Sequence, residues 1–192
     1  MTRATRLILT AAAVVALAGQ DTLARVSVKV EFDKAFDFAS VSTWNWDPKS
    51  YGEVFMARTV HDSAEAMKKR AEPIVLEAVA AEMPRRGMTR ADADPHVTVR
   101  YFLLLSTNMS AQTIGQFLPG TTAWAVPPFA QATQSLEMQN QGSLVLDISA
   151  NGEVVWRGVA QTNIKLDATE DKRASLIREG VRDLLRRFPP KR

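Results

Sequence analysis

The segment from Gly142 to Ile164 constrains this chain more than any other. Leu144, Leu146 and Ile148 alternate with Ser143, Val145 and Asp147, Asn151-Gly152 follows, and Glu153 to Ile164 returns. Asn-Gly accepts the two positive φ angles of a type I′ turn, whose twist matches that of paired strands. A tight antiparallel hairpin is therefore expected. The inward parity runs back through Met138 and Leu136, which allows a longer first strand. A lone hairpin is barely stable in water, so further strands or a covering helix must come from the rest of the chain.

Those elements are legible. Val26, Val28, Val30 and Phe32 alternate with polar residues as one face of a half-buried strand. Phe36 and Phe38 plug the connection from Asp33 to Ser42, and Ser42 to Trp46 is a short β-prone run stopped by Asp47-Pro48. Asp62 to Arg86 is rich in strong helix formers, with Asp62 or Ser63 as cap and Met67, Ala71, Ile74, Val75, Ala78 and Val79 as its buried stripe. Pro73 either kinks this helix or opens a shorter one near Glu72, and Gly87 stops it. His96 to Leu105 forms another strand, with Val97, Val99, Tyr101, Leu103 and Leu105 on one face. Glu170 to Arg187 closes the chain as an amphipathic helix whose Gly180 suits close packing on a sheet. The order β-β-α-β-β-β-α predicts an α+β fold, a mainly antiparallel five-stranded sheet with two helices packed on one face.

Residues 1–18 carry Arg3 and Arg6 and then the apolar run Leu7 to Ala18, too short to span a bilayer and shaped like an export signal. Cleavage is expected before Gly19 or before Arg25. Residues 1–24 thus read as signal peptide and leader, and 25–192 as a single α+β envelope domain with a low-charge insertion at 106–141. Removing residues 1–18 deletes two Arg and no acid, taking the formal charge from +3 to +1. A chain so nearly neutral does not suit nucleic acid. With no Cys and two His, disulfides, thiolate zinc, iron–sulfur clusters and a three-His metal site are excluded, and no metal or cofactor is expected.

Several separated pieces resemble one known family. They are Phe32-Asp33 with Phe36-Asp-Phe-Ala-Ser-Val-Ser-Thr-Trp-Asn-Trp46, Glu82-Met-Pro-Arg-Arg-Gly-Met88, Ala93-Asp-Pro-His-Val-Thr-Val-Arg-Tyr101, Gly142-Ser-Leu-Val-Leu-Asp-Ile-Ser149, Val155-Trp-Arg-Gly158 and Leu184-Leu-Arg-Arg-Phe-Pro-Pro190. In this order they resemble the bacterial domain-of-unknown-function family 4136, found mostly in envelope lipoproteins. The resemblance implies an α+β envelope domain with no established enzymatic activity, usually tethered through a lipobox Cys. Here Leu17-Ala18-Gly19 is followed by Gln20, which offers no thiol to acylate, so no covalent lipid anchor is expected. The expected location is the periplasm or outside the cell, with peripheral outer-membrane association as a variant.

No catalytic residue stands out. His61-Asp62 and Asp94-Pro95-His96 lack the third partner that general-base or metal work needs. His61 reads as solvated, and His96 as a locally hydrogen-bonded residue at the start of a strand. Asp147 has the outward parity, where a cross-strand ion pair with Arg157 explains it. Residues 106–141 carry one charge, Glu137, and six Gln, and include Ile114, Phe117, Leu118, Trp124 and Phe129 as a candidate contact surface, unless they fold back on the sheet as a hairpin extension. The basic side of the last helix is a solvated face or a contact for anionic lipid. The function expected is a non-enzymatic exported envelope domain that binds a protein, lipid or wall component such as peptidoglycan. The alternative is a small carbohydrate-binding protein or hydrolase with a cleft near Trp44, Asp147 and Trp156.

Overall fold

The structure is a computed structural model that describes residues 26–56, 63–106, 141–163 and 168–190. These form β1 (Ser27–Phe32), β2 (Thr43–Trp46), β3 (Gly52–Met56), α1 (Ala64–Glu82), β4 (Thr89–Arg90), β5 (Val97–Ser106), β6 (Gln141–Ala150), β7 (Glu153–Asn163) and α2 (Glu170–Leu185). Among the described residues the fold is α+β with two helices, as expected. The sheet, however, is mixed and seven-stranded rather than mainly antiparallel and five-stranded.

Its order is β1-β7-β6-β5-β2-β4, with β3 also paired to β5. β1–β7, β7–β6 and β6–β5 are antiparallel, whereas β2–β5, β3–β5 and β2–β4 are parallel. β2 takes Val97–Val99 and β3 takes Tyr101–Leu105, so the two lie end to end along one side of β5. β3 and β4 are the strands that sequence patterning missed. Parallel partners need no turn between them, and β4 has two residues, so neither carried a hairpin or alternation signal.

The hairpin is as expected. Asn151 and Gly152 have φ of 51° and 84°, and β6 and β7 pair from Gln141↔Asn163 to Ala150↔Glu153 with one irregularity at Ile148/Ser149. α1 begins after Ser63, whose Oγ accepts the Ala66 N–H at 3.1 Å. It ends at Glu82, four residues before the expected Arg86, because Pro84 opens a 3-10 turn that Gly87 closes at φ 76°. Pro73 stays inside this single helix. Both it and Lys69, whose carbonyl loses its donor, are exposed, so water can replace the missing bond. Met67 and Ile74 are half-buried rather than buried, and Glu82 joins the buried stripe. α2 starts after Thr169, which caps Lys172 N–H, and ends at Leu185, short of Arg187.

Both helices pack on one face of the sheet. Val75, Val79, Val181, Leu184 and Leu185 share a buried cluster with Trp44, Val99, Tyr101, Leu146, Ile148 and Trp156. The other face carries a smaller cluster of Phe102, Leu104, Val145 and Val159, with Phe55 against it. Gly180 is where α2 comes closest: a Cβ there would lie 3.3 Å from the Ala160 Cβ and 3.6 Å from Leu144 Cδ2.

Gly52 is a tighter constraint. A Cβ at this position would overlap both the Tyr101 ring and the Tyr101 carbonyl oxygen. Tyr101 is fully buried and its hydroxyl donates to Glu72 Oε2 at 2.6 Å, so the ring has nowhere to retreat. Gly52→Ala is expected to cost about 1–3 kcal/mol or more in urea unfolding. A loss below about 0.5 kcal/mol would show that β3 shifts freely along β5.

Candidate functional site

Strand alternation lines up charged residues on the face away from the helices. By register Arg100 of β5 stands opposite Asp147 of β6, Asp147 opposite Arg157 of β7, and Arg157 opposite Glu31 of β1. Glu53 of β3 adds an ion pair to Arg100 at the far end. The signs therefore alternate across five strands. At the centre Arg157 is bidentate on Asp147, with Nε to Oδ1 and Nη2 to Oδ2 both at 2.6 Å. This planar fork is the geometry in which Arg holds a carboxylate best.

The expected partner of Asp147 is thus the observed one, but its setting differs from expectation. Asp147 is on the outward side of the strand yet only 2% exposed, and Arg157 is 4% exposed. Alternation identifies a face; it does not say whether that face is covered. Burial pushes the Asp147 carboxyl above its ordinary value, opposed by its hydrogen bonds to Arg157 and by the charges of Arg157 and Arg100. Arg100 also lies over the Phe102 ring at 5.2 Å, linking the charged row to the apolar cluster beside it.

The cleft considered for carbohydrate or hydrolysis is not assembled. Trp44 and Trp156 are 1% and 0% exposed in the core under the helices, and Asp147 stands on the opposite side of the sheet. His96 is bonded to the neighbouring strand segment: its Nδ1 accepts the Ser42 N–H at 3.2 Å and its own N–H donates to Thr43 Oγ1 at 2.9 Å. His61 and the candidate contacts Ile114, Phe117, Leu118, Trp124 and Phe129 lie outside the described residues, as does the backward extension through Met138 and Leu136. Among the described residues no three His, Asp or Glu side chains are grouped to hold a metal ion, and no helix is long and apolar enough to cross a membrane. On α2, Arg182 and Arg186 both reach Asp183, and Arg178 reaches Glu77 of α1 at 3.8 Å.

Sequence reading missed the roles of Arg100, Glu53, Glu31 and Glu82. For the first three the signal was present as opposite charges at one parity on several strands, but the strand order needed to read it was not. Glu82, 6% exposed, holds Arg85 at 2.8 Å and Arg86 at 3.4 Å, which explains a Glu three and four residues before a pair of Arg. The buried Tyr101 hydroxyl is pushed well above its ordinary pKa, first by burial and then by its bond to Glu72.

The motif pieces that lie far apart in sequence converge in space. Phe38 packs edge-on to Phe32 at 5.9 Å and to Phe188 at 6.1 Å, and Phe188 meets Trp156 at 5.6 Å. A mixed sheet with two helices on one face, sealed at one end by these aromatics, defines an α+β domain whose second face carries a charged row, buried at its Asp147–Arg157 centre, exposed at its Glu31 end and half-buried at Glu53. The family model for the domain of unknown function DUF4136 matches residues 28–190, and the chain belongs to that family. Its fold is similar to that of a PDZ domain protein from Parabacteroides distasonis, at 15% identity and TM-score 0.52 over 88% of this chain. That match takes in 36% of the other protein, so this chain spans about a third of its length. It is also similar to a DUF4136 family protein from Bacteroides thetaiotaomicron, at 18% identity and TM-score 0.50, over 85% of this chain and 96% of that one. A PelC dodecamer from Paraburkholderia phytofirmans matches at 10% identity and TM-score 0.40, over 88% of this chain and 100% of that one, a likeness too slight to build on. No curated protein sequence matches the chain.

Proposed function

We propose that this DUF4136 domain is a non-enzymatic, exported module of the bacterial cell envelope that binds a protein, lipid or wall component through residues 107–140. The observation that carries the reading is where that segment is attached. β5 and β6 pair without interruption from Thr98↔Ser149 to Ser106↔Gln141, so the two ends of the segment leave from directly opposed residues. A low-charge stretch with Trp124, Phe117 and Phe129 thus connects the two ends of a ladder that is paired up to its last residues. The leader and Gln20 support export without a lipid anchor.

Replacing residues 107–140 with an Asn-Gly turn tests this. The variant is expected to keep cooperative unfolding while losing co-sedimentation with peptidoglycan sacculi or anionic phospholipid vesicles, or losing in-cell cross-links to an envelope protein, whichever the full chain shows. An unfolded product would make the segment core, and unchanged binding would place the contact elsewhere. Fractionation with intact mass, expected to begin at Gly19 or Arg25 without lipid, checks the location.

A further inference from the structure

We propose that the open edge of β1 pairs antiparallel with β1 of a second copy of this chain, about a two-fold axis at Val30. Among the described residues β1 has β7 on one side and no strand on the other. Asp33 donates its N–H to the Val155 carbonyl at 2.9 Å. Alternation along an antiparallel ladder then turns the backbone groups of Glu31, Lys29 and Ser27 toward β7, and those of Phe32, Val30 and Val28 toward the open edge.

Three registers let those outward groups bond to a copy of themselves near the strand centre. Centring on Lys29 sets Lys29 against Lys29, and centring on Glu31 sets Glu31 against Glu31 at the axis although Lys29 then meets Asp33 of the other copy; centring on Val30 leaves no like-charged pair. Centring on Val30 sets Lys29 of each copy opposite Glu31 of the other, twice. Directly opposed like charges are unfavourable and opposite charges favourable, so the strand's own sequence selects the third register. Val30 then meets Val30 and Val28 meets Phe32 on the helix side, where all three are half-buried at present. Lys29 and Glu31 are exposed.

The same Lys29–Glu31 pair also extends the charged row. Within one copy it alternates from Arg100 through Asp147 and Arg157 and ends at the edge on Glu31. In the proposed register the next position outward is Lys29 of the second copy, so the alternation continues across the axis. The contact is isologous, each patch meeting itself, as a closed two-fold dimer requires.

Sedimentation velocity on the exported full chain over a wide concentration range tests the proposal. A concentration-dependent dimer is expected, weakened by salt. Lys29→Glu alone and Glu31→Lys alone are each expected to weaken it about tenfold or more, since each turns two attractive pairs into repulsive ones. An equimolar mixture of the two variants restores both pairs and is expected to form a heterodimer, which also shows that each variant is folded. Val30→Pro removes an outward N–H that β7 does not use and is expected to leave monomer. A chain that stays monomeric throughout, or a dimer indifferent to all of these changes, would overturn the proposal.

Discussion

Asp147→Ala is expected to destabilise the domain by about 3–5 kcal/mol, measured as the free energy of urea unfolding. The loss comes less from the bond removed than from what stays behind: the Arg157 guanidinium, 4% exposed, without its bidentate acceptor. Replacing both partners by apolar residues, Asp147→Leu with Arg157→Met, should lose far less than either single change, because no buried charge is then orphaned. Burial pushes the Asp147 carboxyl up while its hydrogen bonds to Arg157 and the charges of Arg157 and Arg100 pull it down, so desolvation works against the attraction within the pair. The Glu53–Arg100 pair is the internal control. Its side chains are 43% and 27% exposed, and Glu53→Gln should cost no more than about 1 kcal/mol. Equal losses at Asp147 and Glu53 would mean that the centre of the row is hydrated in solution.

Trp156→Ala should be as damaging, about 3–5 kcal/mol by the same measurement. The indole is fully buried, edge-on to Phe188, and lies over Gly158, where a Cβ would overlap it and come within 2.7 Å of Leu184 Cδ2. Truncation therefore opens a cavity beside Phe188 and Leu184, over Gly158. Two companion variants separate packing from polarity. Trp156→Phe keeps much of the ring and removes an Nε1–H that has no acceptor among the described residues, so it should lose less than half as much. Adding Gly158→Ala to Trp156→Ala should cost less than the sum of the two single losses, since the new methyl enters space the indole vacated. Strict additivity would show that the two positions do not share that space.

What could be read beforehand divides along local and non-local lines. The Asn151-Gly152 hairpin, the Ser63 cap, the Gly87 turn and the Ala71, Val75, Ala78 and Val79 stripe are each written in a handful of neighbouring residues, and they appear where expected. β3 depends on Tyr101, about fifty positions away, and nothing in Gly52-Glu-Val-Phe-Met56 announces a parallel partner. The two faces of β6 were assigned correctly by parity. The depth of Asp147 was not, because depth is a property of what lies over a face. The same holds for the site: Asp147–Arg157 was legible as a hairpin pair, whereas the row that extends it to Arg100, Glu53 and Glu31 exists through strand order alone. Trp44 and Trp156, considered beforehand for a cleft, are core.

The placement of β1 has a consequence for how the molecule comes into being. β1 hydrogen-bonds to β7, and Val28 faces Ala160, more than a hundred positions downstream. During synthesis or passage through a narrow channel, the first strand to emerge is thus among the last to find its place. The hairpin of β6 and β7 can form on its own timescale, but β1 cannot take up its native pairing until nearly the whole chain is available. Completion of the sheet is tied to completion of the polypeptide, and a chain interrupted before β7 lacks the strand on which β1 pairs.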